Sequence, residues 1–183
     1  MFPEYVVQCL DTLQKNGINA YLVGGCVRDL MLSKTPDDYD ITTEITPTER
    51  AAMFRFTFPE AESYVVIDAY DKGSYIEVIP EEKRIIGYTT RNSGGVPDNF
   101  RNWFVIRFDK EIEGYKVYDG PQNELKNKAE CDGNHAMAAV TFKTTRGEKV
   151  NIQTASSFIS LDQAWQNLKE VEGKSFVQIK SDA

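Results

Sequence analysis

The sequence predicts a mainly β fold: a partial antiparallel β-sandwich, with a short α/β segment before it and a helix after it. Three observations carry this expectation. From about residue 49 the chain is a succession of short β-rich runs. Gly, Pro, Asn and Asp punctuate those runs at a spacing that suits an antiparallel sandwich rather than alternating βαβ units. Helical periodicity is confined to the two ends of the chain.

Taken in order, residues 3–16 suit an amphipathic helix. Tyr5, Val6, Cys9, Leu10 and Leu13 recur at helical spacing, Pro3 fits the first turn and Asn16-Gly17 the end. Tyr21–Val23 is a short apolar strand stopped by Gly24-Gly25. Val27, Leu30 and Met31 fit one face of a second short helix, Pro36 breaks it, and Tyr39–Thr43 reads as a strand. The β-rich runs follow around Phe54–Phe58, Tyr64–Ile67, Tyr75–Ile79, Arg84–Tyr88, Trp103–Phe108, Tyr115–Tyr118, Met137–Phe142 and Val150–Thr154. Pro59-Glu60, Asp71–Gly73, Pro80–Glu82, Gly94–Pro97 and Arg146-Gly147 supply turns between them. Ser160-Leu-Asp-Gln163 is a capping-box signature, and Leu161, Ala164, Trp165, Leu168 and Val171 form one apolar stripe before Gly173.

Composition narrows the class. The 183 residues suffice for one core, or one core with a small appendage, and 41% hydrophobic with 27% charged residues is ordinary for a globular domain. Nine Tyr and ten Phe favour β structure. A net charge of −7 argues against non-specific nucleic-acid binding through bulk electrostatics. Cys9, Cys26 and Cys131, odd in number and widely spaced, make neither a disulfide framework nor a zinc signature. The first residues have no basic region and no long apolar run, so the sequence predicts a cytoplasmic chain with no membrane span.

The sharpest chemistry lies in residues 21–40. Gly24-Gly25 can turn tightly after a strand and let a phosphate approach the backbone, where the following helix N-terminus offers free N–H groups. Arg28 can add a fixed positive fork, and Asp29 can hold Arg28 or a sugar hydroxyl. Asp38 and Asp40, two apart on a strand, share a face and can hold magnesium for in-line attack on a nucleotide phosphate. In this order and spacing the residues resemble the head of the class II tRNA CCA-adding and bacterial poly(A) polymerase family, over residues 3–43. The resemblance implies nucleotide binding by Gly24, Gly25, Arg28 and Asp29, catalytic and metal-binding roles for Asp38 and Asp40, Mg2+ as cofactor, and tRNA with CTP or ATP as partners. The later elements of that family's head, and its neck, body and tail helices, are not recognisable. Glu77 is a weak candidate for a third carboxylate.

A second resemblance begins at Arg50-Ala-Ala-Met-Phe-Arg-Phe-Thr-Phe58 and continues through Tyr88-Thr-Thr-Arg-Asn-Ser-Gly-Gly-Val-Pro-Asp-Asn-Phe100 and Ala155–Ala164. These runs are similar to the N-terminal β-sandwich of glycoside hydrolase family 92, the calcium-dependent exo-α-mannosidases, over residues 44–183. In that family the closing helix leads toward an (α/α)6 barrel that holds most of the catalytic carboxylates and the Ca2+ ligands. Residues 37–49 can be aligned with either family.

The expectation is therefore chimera-like: a nucleotidyltransferase-like fragment at 1–43 and a family 92 sandwich at 44–183. Its function is that of an incomplete, carbohydrate-associated domain without the catalytic barrel, the alternative being nucleotide addition to an RNA 3′ end. Neither active site is complete, and which residues bind carbohydrate is not legible. Asp68, Asp71, Asp98, Asp109 and Asp119 read as solvated or capping carboxylates. Trp103 and Trp165 read as core aromatics able to stack on sugar, and His135 as a loop residue. Exposed sandwich edges predict self-association.

Overall fold

The computed structural model describes residues 43–58 and 61–183, with backbone alone at 61 and 62, and residues Thr43–Ala183 form one compact unit. The two helices and the Tyr21–Val23 strand expected before residue 43 lie outside the described residues, as does the Tyr39–Thr43 strand except for Thr43, the first residue of a described strand.

Ten strands, two α-helices and one 3-10 turn, Pro80–Glu82, make up this unit. The strands and helices are β1 (Thr43–Pro47), β2 (Ala51–Phe58), β3 (Ala61–Asp68), β4 (Ser74–Ile79), β5 (Arg84–Thr89), β6 (Asn102–Phe108), β7 (Gly114–Asp119), β8 (Glu130–Gly133), β9 (Ala136–Thr144), β10 (Glu148–Ser157), α1 (Leu161–Leu168) and α2 (Phe176–Asp182). Seven strands join in the order β1-β2-β10-β6-β5-β4-β8, and three in the order β3-β9-β7. Every pairing between these strands is antiparallel. This is the expected mainly β, antiparallel architecture with a helical C-terminus.

The period-two pattern decides which face each residue takes. On β9, Ala136, Ala138, Val140 and Phe142 are buried between the sheets, where Phe142 meets the rings of Phe58 and Phe108. Ile76, Val78, Ile85, Phe108 and Ile152 reach the same core from the larger sheet. The opposite face of that sheet packs on the helices, through Ala51, Met53, Val105 and Ala155 against Ala164, Leu168, Phe176 and Ile179. The larger sheet is thus a middle layer along β2, β10 and β6. That explains why Trp103-Phe-Val-Ile106 is a continuous apolar run rather than an alternating one.

The C-terminal region departs from expectation in two ways. One stripe to Val171 was expected, but α1 ends at Leu168 and a second helix, α2, follows. Ser160 does cap α1, its side chain accepting from Gln163 N. Gln163, however, turns its amide to Asn167 Oδ1 at 2.9 Å, because Asn167 is held in place by donating to Ser156 O at 2.8 Å. The complete capping box belongs to α2, between Ser175 and Gln178.

Candidate functional site

Strand register builds a polar and aromatic row across one face of the larger sheet. Asp132 on β8 is opposite Tyr75 on β4, Tyr75 is opposite Tyr88 on β5, and Tyr88 is opposite Trp103 on β6. Side chains directly opposite on one face stand next to one another. Accordingly the Tyr75 and Tyr88 rings stack at 5.9 Å, and Trp103 meets Tyr88 edge-on at 4.9 Å. The three rings are half-buried. Their face is the one that carries the helices further along the sheet, since Ile86, two residues before Tyr88, packs into the helix-side core.

Three carboxylates line the row. Tyr88 Oη donates to Asp132 Oδ1 at 3.0 Å. Tyr75 Oη lies 2.9 Å from Glu77 Oε2 and 3.0 Å from Glu130 Oε2, and these two glutamates are themselves opposite one another in the β4–β8 ladder. One phenol proton is shared between two like charges. Burial, reinforced by hydrogen bonds to Glu77 and then Glu130, pushes the Tyr75 phenol well above its ordinary range. Among the described residues no Lys or Arg forms an ion pair with Glu77, Glu130 or Asp132. The Arg101 guanidinium sits 4.8 Å over the Tyr88 ring.

The other residues singled out in the sequence are placed as follows. Gly24, Gly25, Arg28, Asp29, Asp38 and Asp40 lie outside the described residues. Asp68 accepts from Tyr70 N at 2.8 Å and meets His135 Nε2 at 2.7 Å. Asp71 pairs with Arg91. Asp109 accepts from Asn151 N and Nδ2 at 2.9 and 2.6 Å, and Asp119 accepts from His135 N at 3.0 Å. Asp98 is exposed in the loop before β6. These are turn, capping and pairing roles. Trp165 lies under the Arg84 guanidinium, 4.9 Å away, and packs into the helix-side core. Cys131 is buried between the sheets, where its thiol is pushed up by burial and by the charges of Asp119 and Asp132.

Sequence reasoning weighed Trp103 and Glu77 one at a time. It missed Tyr75, Tyr88, Glu130 and Asp132 as partners. The available signal was the alternation of Tyr75 and Glu77 against Ile76 and Val78, which already placed those two on the face away from the core.

The described fold defines an antiparallel β-sandwich domain with terminal helices. Residues 32–157 match the family model described as the glycosyl hydrolase family 92 N-terminal domain, and the chain belongs to that family. A solved relative is the family GH92 inverting mannosidase BT2199 from Bacteroides thetaiotaomicron VPI-5482, at 38% identity and TM-score 0.72, covering 81% of this chain and 21% of that one. The GH92 α-mannosidase BT3965 of Bacteroides thetaiotaomicron, solved with mannoimidazole, matches at 28% identity and TM-score 0.68 over 76% of this chain and 20% of its own.

The nucleotidyltransferase resemblance is also present. The CCA-adding enzyme of Staphylococcus aureus (strain bovine RF122 / ET3-1) is 38% identical over 128 residues, 65% of this chain and 32% of that protein. Poly(A) polymerase I of Salmonella typhi is 50% identical over 52 residues, 28% of this chain and 11% of that protein. The chain therefore spans between about a tenth and a third of the length of these relatives. Among the described residues no helix is long and apolar enough to cross a membrane.

Proposed function

We propose that this chain is the sandwich portion of a family 92 exo-α-mannosidase, a carbohydrate-associated domain that does not itself hydrolyse the glycosidic bond. The similarity to the BT2199 mannosidase over four fifths of the chain carries the reading. The chemistry of the described residues agrees with it. An inverting glycosidase needs two carboxylates roughly 6.5–9.5 Å apart, with sugar and water between them. Glu77 and Glu130 both touch one phenol oxygen, which leaves no such gap. The test is incubation of the full chain with α-mannosides and calcium. No mannose is expected, and measurable release would overturn the non-catalytic reading.

The match to CCA-adding enzymes favours a second reading, nucleotide addition to a tRNA 3′ end. In that case Asp38 and Asp40 would hold Mg2+, and Gly24, Gly25, Arg28 and Asp29 would bind the nucleotide. Incorporation of labelled CTP or ATP into tRNA, dependent on magnesium and abolished by Asp40→Ala, would establish it. A null result with the full nucleotide mix would remove it.

A further inference from the structure

We propose that the row Asp132–Tyr75–Tyr88–Trp103, with Glu77, Glu130 and Arg101 at its margin, is a surface site for a neutral pyranose sugar. The inference rests on the carbohydrate reading above for its ligand class, and deepens it by naming the residues.

Three features point to that class. The first is the aromatic surface: three half-buried rings are held side by side by strand pairing rather than by flexible loops. Such a surface suits a ligand with an apolar C–H face of its own. The second is an excess of acceptors. Asp132, Glu77 and Glu130 are served by two phenol protons, and among the described residues by no lysine or arginine. A ligand that brings several O–H donors satisfies the remaining lone pairs with charge-assisted hydrogen bonds. The third is the position of Arg101. Its guanidinium already takes the cation slot over Tyr88, 4.8 Å from the ring, so an ammonium ligand would meet a like charge there. Arg101 can instead donate to a ring or hydroxyl oxygen. Apolar face and many hydroxyl donors together describe a pyranose, and the mannosidase relatives make an α-mannoside the first to try.

The full chain is titrated with methyl α-mannoside, alongside methyl α-glucoside and xylose, by saturation-transfer NMR and by tryptophan fluorescence in a Trp165→Phe background that leaves Trp103 as reporter. Saturable binding is expected, with a Trp103 fluorescence change and saturation strongest at the sugar's ring C–H protons. Tyr88→Ala and Asp132→Asn should each weaken binding by about tenfold. If Tyr88→Ala disturbs folding, Asp132→Asn and Tyr75→Phe, which keep size and ring, carry the comparison. Sugar binding that no variant in the row alters would overturn the site while leaving the carbohydrate reading intact. Absence of sugar binding by the folded chain, or saturation by tetramethylammonium in its place, would also overturn it. The mannosidase reading is judged separately, by whether the chain releases mannose.

Discussion

One face of the larger sheet is two different surfaces. Along β2, β10 and β6 it carries Met53, Ala155 and Val105, sealed under α1 and α2. Along β8, β4 and β5 it carries Glu130, Asp132, Tyr75, Glu77 and Tyr88, with carboxylates and phenols where the other half has methyl groups. Both halves are paired antiparallel, and the helices make the difference. Under them, Gln153 Nε2 donates to Val171 O at 3.0 Å, and the Arg55 guanidinium lies 4.0 Å over the Phe176 ring. The covered half supplies stability, and the open half is free to present chemistry.

The largest expected effect tests that division directly. Leu168→Ala removes a buried side chain from the covered half and should cost about 2–5 kcal/mol in urea unfolding, whereas Tyr88→Phe on the open half should cost less than about 1.5 kcal/mol. Equal costs would erase the contrast. Next comes Gly87, which supports the open half from beneath. A Cβ there would clash with Tyr75 O and meet the Phe104 ring at 2.5 Å, so Gly87→Ala should destabilise by about 1–3 kcal/mol and shift the Tyr75–Tyr88 ring pair seen by NMR.

Acid should act on the framework. The Glu148 carboxyl is held down to about 2 from 4.5 by Lys110 and then by the Thr145 backbone and hydroxyl; Glu170 is lowered chiefly by the Thr48 hydroxyl. With folded values depressed, this contribution is present above about pH 4.5 and is lost as pH falls toward about 2. Urea midpoints should fall over that window, and Glu148→Gln should flatten part of the slope. Alkali acts on the row with the opposite sign. The raised Tyr75 value means its contribution is intact below about pH 10 and is lost as pH rises beyond. In a spectrophotometric titration Tyr75 should ionise after exposed tyrosines, and Tyr75→Phe should remove that late step. The smallest effect concerns the edge strand β3, where Val66 is 60% exposed. Sedimentation should show concentration-dependent association, weakened by Val66→Lys; a monomer at all concentrations would contradict this.

Much of the sandwich was legible. Eight strands carry enough β-branched and aromatic residues, between turns such as Asp71–Gly73, for local pattern to mark them. The exceptions are instructive. Glu130–Gly133 has one apolar residue in four and becomes β8 only because β4 offers it an edge. Ser175-x-x-Gln178 carries the same signature as Ser160-x-x-Gln163, yet a seven-residue helix was too short to register as a period.

By itself, then, the sequence determined the antiparallel class, the alternation that sends Ile76 and Val78 inward and Tyr75 and Glu77 outward, and the burial of a helix stripe at the C-terminus. These follow from interactions within a few residues. Only the tertiary structure decided that Asp132, Tyr75, Tyr88 and Trp103 stand in one row. Register between strands far apart in the chain is set by core packing and ladder hydrogen bonds, and no local pattern records it.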